Sequence, residues 1–431
     1  KEFIQKLFKT DITERILRQT AYKDSKDLEK TDGKKKSRIN VPKLCDANWA
    51  GTKKSKECTL ILTEGDSAKT MAIAGLSVVG RDKYGVFPLK GKILNVRDAS
   101  VNDISNNKEL CSIKKILGLQ SFHEYTIEEL NTKWPLRYGK ILIMTDQDHD
   151  GSHIKGLVIN VFDHLWPQLL NNHFISSMLT PIIKATKGKH SNSFYTIQEY
   201  EEWKKTVNKK GWKIKYYKGL GTSTTKEAKE YFKDLKIVNY SHSEEGVIET
   251  EQAEGFIQIN NDKTKCKIDL AFNKKRADDR KQWLNAYDRD LILDNTQSEV
   301  TFNEFIDKEL IHFSNASNDR SIPDIRDGFK PSIRKIIFSC FKRNLVSEIK
   351  VAQLAGYVSE NAAYHHGEKS LEGAIVGLAH DFIGSNNLNL LKPIGQFGSR
   401  LHGGKDCACL LYTSDAADDS LRVDPGGRRI I

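Results

Sequence analysis

The chain has 431 residues, enough for two to four domains of ordinary size, and its formal net charge of +11 is compatible with a polyanionic partner. No apolar run approaches the length of a membrane span, so we expect no association with membranes. The seven cysteines are an odd number without CxxC pairs, which argues against a zinc site or a disulfide framework and favours a reducing compartment.

Residues 1–57 are polar and rich in lysine, which predicts a helix followed by a flexible connector. The opening letters KEFIQKLFK lack an initiator Met and do not have the pattern of a signal peptide, so the chain looks like an internal piece of a longer protein. Basic runs with nearby aromatic residues occur at 34–38, 273–281 and 334–343. A single run of this kind is typical of a solvated helix face, but beside a metal site the three together favour salt-dependent phosphate contacts.

The first predicted strand is the apolar run from Thr59 to Leu62, at the start of the stretch TLILTEGDSAKTMAIAGL. Glu64, Gly65 and Asp66 follow it, and apolar residues then recur at helical spacing. The pattern therefore predicts a buried strand that ends in an acid, a turn of small residues and a helix.

A second strand, KILIM at 140–144, leads into the acidic loop TDQDHDGSHIKG at 145–156, and the stretch 153–170 continues with helical spacing. The three aspartates and the glycine of the loop match the opening of a calcium-binding EF-hand. The twelfth residue counted from Asp146, however, is Leu157, where an EF-hand has Glu. An EF-hand also needs a helix where this chain has a β-branched run, so calcium binding by this route is rejected.

Magnesium suits the acidic loop better, because it uses one or two carboxylates together with waters and phosphate oxygens. Asp146 and Asp148 are two residues apart, so in an extended segment both side chains point to one side, and like charges this close need a cation. In a parallel sheet both acidic turns lie at one edge, where Glu64 could join them around one or two metal ions for phosphoryl transfer. An Asx-rich turn that caps the following helix is the structural alternative, and it stays open here.

The remainder of the chain changes character twice. Residues 186–310 are rich in aromatic residues and lysine, with a mixed α/β pattern and the polar insertion YSHSEEGVIETEQAEG at 240–255. Residues 311–408 contain amphipathic segments broken by Gly and polar turns, which fit a helix-turn-helix or winged-helix fold. The expected fold class is therefore α/β plus mainly α.

The stretch EGDSA followed by DxDxD resembles the Toprim metal site that topoisomerases, primases and some nucleases share. Longer stretches resemble eukaryotic DNA topoisomerase II, namely PLKGKILNVRDAS, YYKGLGTST, RSIPDIRDGFKPSIRK, VAQLAGYVSENAAYHHGE and NNLNLLKPIGQFGSRLHGGKD. The likeness runs from about Thr31 to Asp406, and its motifs stand in the order that the family has.

This resemblance implies a domain layout and a set of partners. Residues 1–57 would follow an ATPase part outside this chain, 58–185 would be the Toprim metal-binding domain, 186–310 the connecting α/β region, and 311–408 a truncated winged-helix breakage–rejoining domain. The resemblance also implies an ATP-dependent, homodimeric type IIA DNA topoisomerase, an isomerase that acts on double-stranded DNA in the nucleus. ATP would be bound only in the full-length protein.

Enzymes of this family cut both DNA strands by attack of a tyrosine, and the cut leaves the enzyme covalently joined to the 5′ ends. These enzymes use magnesium. The resemblance implies Glu64, Asp146 and Asp148 as ligands of Mg2+, for which Mn2+ or Ca2+ can substitute in binding. Asp150 would be an auxiliary ligand or would serve the structure of the loop. The positions that match DNA contacts of the family are Lys92, Asn95, Arg280, Lys281, Lys330, Tyr364, His365, His366 and, with a weaker match, Lys218. A plain surface turn is the alternative for Lys92 and Asn95.

Tyr412 stands six residues after Asp406, where the family has its catalytic tyrosine, but its surroundings depart from the pattern. Leu411 replaces the arginine that would stabilise the pentacovalent phosphate, and residues 409–431 resemble no part of the family. The letters CLLYTSDAAD match one translated frame of a common transposase-type sequencing adaptor, so we expect the genuine sequence to end near Ala408; a natural divergent terminus is the alternative. Because a tyrosine with a pKa of about 10 needs cationic help to attack, we predict little or no cleavage by the chain as written.

Two other functions remain as alternatives to a topoisomerase fragment. A Toprim primase or nuclease would need no tyrosine, but it would also lack the stretch IGQFGSRLHGGKD, which is present here. A non-catalytic DNA-binding scaffold is favoured only for this truncated form of the chain, and magnesium-dependent cleavage would argue against it.

Overall fold

The computed structural model describes residues 11–408 and the short strand at 429–430, except residues 172, 189, 209, 218, 243–262, 295–296, 365–366 and 387. It consists of two compact units, residues 1–314 and residues 315–431. Within the described residues, no helix has both the length and the apolar character that crossing a membrane requires.

The first unit is built on a six-stranded, mostly parallel sheet with the strand order β2-β1-β3-β4-β8-β9. A smaller antiparallel sheet has the order β6-β5-β7. In chain order the strands are β1 Thr59–Glu64, β2 Tyr84–Leu89, β3 Lys140–Met144, β4 Ile175–Met178, β5 Ile183–Lys187, β6 His190–Phe194, β7 Lys213–Tyr216, β8 Ile237–Ser241 and β9 Glu299–Thr301.

Helices alternate with the strands of the large sheet, as expected for parallel strands joined by crossover connections. The helices of the first unit are, in chain order, α1 Asp11–Glu29, α2 Gly65–Val79, α3 Val101–Asn106, α4 Lys108–Leu117, α5 Ile127–Thr132, α6 His149–Leu165, α7 Pro167–Leu170, α8 Ile197–Thr206, α9 Thr225–Lys233, α10 Lys263–Phe272, α11 Ala277–Asn285 and α12 Phe302–Phe305. A π-helical turn, Ile306–Leu310, follows α12.

Strands β1 and β3 are buried on both faces, which explains their nearly continuous apolar sequence. Leu60 and Leu62 pack into the larger hydrophobic core on one face of the sheet, whereas Ile61 packs with Leu142 and Met144 on the other face. This alternation is the period of two that a strand imposes on its side chains. The two strands predicted before the acidic turns are confirmed.

The large sheet is completed by strands that come late in the chain. Strand β8 pairs antiparallel with β4, and β9 pairs parallel with β8. The two added strands lie on either side of residues 243–262 in the chain. The outer edge of β4 is therefore covered by residues 237–241.

The helix that follows the acidic loop begins at His149, inside the loop, and so starts and ends earlier than the stretch 153–170 suggested. Helix α6 ends at Leu165, and Pro167 is the first residue of the separate helix α7. The ring of proline removes a backbone donor and clashes with the preceding turn, so proline is tolerated at the first position of a helix and not in its interior.

The second unit is mainly helical and contains α14 Pro331–Lys342, α15 Val351–Asn361 and α16 Glu368–Ala379, after α13 Ile311–Ser321. Its core is formed by apolar side chains such as Ile336, Leu354 and Ile375. A small antiparallel sheet joins β12 Arg429–Ile430 to β10 Ile349–Lys350 and β11 Pro393–Ile394. The mixed α/β and helical fold class is confirmed, and the winged-helix assignment stays a prediction.

Candidate metal-binding site

Two acidic residues lie next to each other at the carboxyl edge of the large sheet. Strand β1 ends at Glu64, and its neighbour β3 ends at Met144, two residues before Asp146. The strands are parallel, with Thr63 beside Met144, so both acids emerge at the same edge. The backbone N–H of Asp146 donates to Oε2 of Glu64 at 3.2 Å. The structure thus places the carboxylate of Glu64 against the backbone of Asp146, which is another of the three predicted metal ligands.

The environment of these carboxylates disfavours their negative charge. Burial raises the pKa of Glu64 to about 7, the N–H of Asp146 opposes this rise, and the charges of Asp146, Asp148 and Asp150 add to it. Burial also raises the pKa of Asp146, against a hydrogen bond from the N–H of Leu220. A cation at this edge would offset the repulsion and favour the ionised forms of both acids.

The other two aspartates of the loop have different partners. Asp148 is exposed and caps helix α6, because its side chain accepts a hydrogen bond from the N–H of Gly151 at 2.8 Å. The capping turn that stood as the alternative for this loop is therefore present at Asp148. Asp150 forms a salt bridge with Lys92, with 2.8 Å between Oδ1 and Nζ.

The residues at this edge fit a cation that keeps part of its water shell. Within the described residues, no group of three His, Cys, Asp or Glu side chains is close enough to hold a metal ion. Glu64 and Asp146 offer two carboxylates, whose oxygens are the donors that hard cations prefer. Magnesium is commonly held by one or two carboxylates with waters and substrate phosphates completing its shell, so the donor set fits Mg2+ better than a closed protein cage.

A turn far along the chain also reaches Asp146. The N–H of Leu220 donates to Oδ1 of Asp146 at 2.7 Å. This turn belongs to the stretch YYKGLGTST, in which Lys218 was expected to contact DNA; Lys218 itself lies outside the described residues. This contact was not predicted from the sequence, in which the pair of glycines that flank Leu220 is the only sign of a close approach.

Three of the residues expected to contact DNA line one cavity of about 490 Å3 in the first unit, namely Lys92, Asn95 and Arg280. The ammonium of Lys92 lies 4.8 Å from the ring centroid of Phe313. The amide of Asn95 donates to the carbonyl oxygen of Phe272 at 2.8 Å. Lys274 adds a further positive charge to the lining and Asp98 adds a negative one, so the three cations still allow the cavity to accept an anionic group.

A buried network that the sequence did not reveal supports this cavity. Arg97 donates to Oδ1 of Asn160 at 2.8 Å and to Oδ1 of Asp269 at 2.9 Å, and it also pairs with Asp163. Asn160 in turn donates to Oδ1 of Asn95 at 2.9 Å. The position of Asn95 in the cavity wall therefore depends on a buried arginine.

The remaining predicted residues are dispersed. Lys281 is exposed and pairs with Asp278, and Lys330 is exposed at the N-cap of α14. The ring of Tyr364 is buried in the core of the second unit, and its hydroxyl donates to Ser370 at 3.4 Å. The predicted residues outside the described part of the chain are Lys218, His365, His366 and Tyr412.

Three family models match successive parts of the chain. The Toprim domain matches residues 59–178, and the C-terminal associated domain of Toprim matches residues 178–318. The model of the A subunit of DNA gyrase/topoisomerase IV matches residues 320–419. Glu64 and Asp146 fall within the first of these matches.

Curated relatives are similar over nearly the whole chain. DNA topoisomerase 2-alpha from Homo sapiens is 53% identical over 426 residues, which covers 95% of this chain and 27% of the relative. DNA topoisomerase 2-beta from Mus musculus is 53% identical over 421 residues, which covers 93% of this chain and 25% of the relative. The chain therefore spans about a quarter of the length of these relatives.

A solved structure has a similar fold. The DNA-binding, cleavage and re-ligation domain of Plasmodium falciparum topoisomerase II matches with a TM-score of 0.72 and 51% sequence identity. The match covers 88% of this chain and 49% of that one.

Proposed function

The chain belongs to the DNA topoisomerase II family, and from this premise we propose that it supplies the metal-binding and DNA-binding part of a type IIA enzyme that breaks and rejoins both strands of DNA. The observation that carries this proposal is the contact between Glu64 and Asp146 at the carboxyl edge of parallel strands. Ligands of open α/β sheets bind at this edge.

Glu64 and Asp146 would hold Mg2+, with Mn2+ or Ca2+ able to replace it in binding. The bound ion would stabilise negative charge on the oxygens of the phosphodiester during transfer. Asp148 is placed to keep helix α6 in position through its cap, and it contributes charge to the same edge. Asp150 is engaged by Lys92, so its role as an auxiliary ligand would require that salt bridge to open.

The DNA partner would be bound through the cationic cavity that contains Lys92, Asn95 and Arg280. Contacts of this kind go to phosphates and carry no sequence information, so they confer affinity that falls as the salt concentration rises. Lys281 and Lys330 are exposed and can add to this salt-dependent affinity for DNA. We propose double-stranded DNA as the substrate, a homodimer as the working form of the whole protein, and the nucleus as its location.

Cleavage requires a nucleophile that the sequence supplies only in an altered context. Tyr412 would attack the phosphodiester, and an arginine would normally precede it, but Leu411 occupies that position. Without this cation the developing charge on the phosphate has one stabilising group fewer. The chain as written would therefore bind metal and DNA with little or no strand cleavage.

The metal site is tested by titrating the chain with Mn2+ in a calorimeter, together with the variant Glu64→Gln. We expect saturable binding to the wild type that weakens at least tenfold in the variant, since one of two carboxylate ligands is lost. As a control we use Glu57→Gln, which removes an exposed carboxylate that pairs with Lys83. Equal affinity for all three proteins would refute the site.

Cleavage is tested with supercoiled plasmid and Mg2+, followed by a search for protein covalently attached to DNA. Covalent attachment by the chain as written would overturn the prediction of inactivity. Nicking without covalent attachment would favour the alternative of a Toprim nuclease. A version in which an Arg-Tyr pair stands six residues after Asp406 is expected to recover covalent attachment.

A further inference from the structure

The turn formed by Gly219 and Leu220 lies against the carboxylate of Asp146. Leu220 is 3% exposed, and its side chain packs into the core on one face of the sheet. Its N–H donates to Oδ1 of Asp146 at 2.7 Å. The buried side chain fixes the direction of the N–H, so the amide can hold the carboxylate in one orientation.

Gly219 leaves room for the same carboxylate. A Cβ atom at this position would lie 2.4 Å from Oδ2 and 2.9 Å from Cγ of Asp146. The backbone of Gly219 has φ 164° and ψ 174°, an extended conformation that any residue adopts. Space for Asp146, rather than backbone freedom, is therefore the reason for glycine at this position.

Both ends of the turn are tied to Glu227. Its carboxylate accepts hydrogen bonds from the hydroxyl of Tyr217 and from Nζ of Lys215, before the turn, and from the N–H of Thr224, after it. The turn is thus held in position by contacts that do not involve Asp146.

We propose that the turn Gly219–Leu220 is a positioning element of the metal site, which orients Asp146 to receive the ion. This inference rests on the proposed function, because it assumes that Asp146 binds the metal. A carboxylate that is already oriented loses less conformational freedom when the ion binds. Groups that orient a metal ligand in this way change metal affinity about 10–100-fold when they are altered.

The test compares two glycines of the same turn. Gly219→Ala places a methyl group against Asp146 without changing any charge, whereas Gly221→Ala adds the same group where no atom lies within 4 Å. Mn2+ affinity is measured by calorimetry without DNA. We expect the affinity of Gly219→Ala to fall at least tenfold and that of Gly221→Ala to stay within about twofold of the wild type.

A second readout separates orientation from a general loss of folding. The N–H of Leu220 is followed by hydrogen exchange: it should exchange faster in Gly219→Ala than in the wild type, while amides in strand β1 stay protected. Glu227→Gln, which loosens both ends of the turn, should also weaken Mn2+ binding, by a smaller factor than Gly219→Ala.

Absence of the metal site and absence of the positioning role give different experimental results. If the wild type binds no Mn2+, the proposed function fails at this site. If the wild type binds Mn2+ and Gly219→Ala binds it equally well, with unchanged exchange at Leu220, the metal site stands and the positioning role of the turn is refuted.

Discussion

Replacing Arg97 by Met should destabilise the first unit by about 3–5 kcal/mol, the cost of removing one partner from a buried ion pair. The side chain of Asp163, which pairs with Arg97, is only 2% exposed, so its carboxylate would lose a cationic neighbour at a place with little access to water. Asp269, the second acidic partner, is 27% exposed and can regain part of its hydration. The loss of the ion pair between Arg97 and the more deeply buried Asp163 therefore dominates the expected change.

Chemical denaturation followed by tryptophan fluorescence measures this change. All six tryptophans lie before residue 284, within the first unit, so the signal reports on the unit that contains Arg97. The matched control is Lys281→Met, which removes a cation from a pair whose side chains are 74% and 88% exposed. An exposed pair of this kind contributes about 0–1 kcal/mol.

A second substitution tests whether the buried charge is the cause. The double variant with Arg97→Met and Asp163→Leu should recover part of the lost stability, because no buried carboxylate then remains at that position. If Arg97→Met unfolds at the same denaturant concentration as Lys281→Met, the buried network does not stabilise the unit and the reasoning is wrong. If the double variant is less stable than Arg97→Met alone, the loss comes from packing rather than from charge.

Burial raises the pKa of Glu64 to about 7, so below that pH its proton must leave before metal binds. Mn2+ affinity measured by calorimetry should therefore fall roughly tenfold for each pH unit below 7 and change little above pH 7. Burial alone would raise the pKa of Glu227, but the hydrogen bonds to its carboxylate lower that pKa from 4.5 in the unfolded chain to about 2 in the folded protein. The stabilisation from the ionised carboxylate is therefore complete above the unfolded pKa and is lost as the pH falls through the folded pKa. Glu227→Gln should then cost up to about 3 kcal/mol at pH 7, with a gap to the wild type that narrows between about pH 4.5 and pH 2 in denaturant titrations. Gly75→Ala would place a Cβ 2.2 Å from the ring of Phe232 and should lower the free energy of unfolding by about 1–3 kcal/mol. Gly373→Ala lies in a helix and meets no atom within 4 Å, so it should be neutral or stabilising by up to about 1 kcal/mol. A similar loss of stability in both variants would contradict the packing argument.

Local patterns in the sequence were sufficient to predict the strands and the edge of the sheet at which the acids lie. The apolar runs that become β1 and β3 each end in an acid, and parallel pairing then places Glu64 and Asp146 together. The same reasoning placed Asp148 beside them with a helix cap as the alternative; the structure shows the cap, and the role of Asp148 as a metal ligand stays a prediction. A local pattern that fits two roles cannot decide between them, because both need an acid at the start of a helix.

Contacts between distant parts of the chain could not be predicted in the same way. Leu220 is 74 residues from Asp146, and Asp269 is 172 residues from Arg97. Neither contact leaves a periodic signal, because each depends on how separate elements pack. The cavity with Lys92 is likewise assembled from residues of several elements, and only the family resemblance had grouped its members beforehand.

The late pairing of β8 with β4 has a practical consequence for anyone who shortens this chain. A version that stops after residue 185 would remove β8 and leave the backbone N–H and C=O groups of Ile175–Met178 without their antiparallel neighbour. A buried strand whose edge loses its neighbour recruits strands from other molecules, so such a version should aggregate even though it retains the carboxylates proposed to bind metal. Cutting after residue 314 would keep the sheet whole.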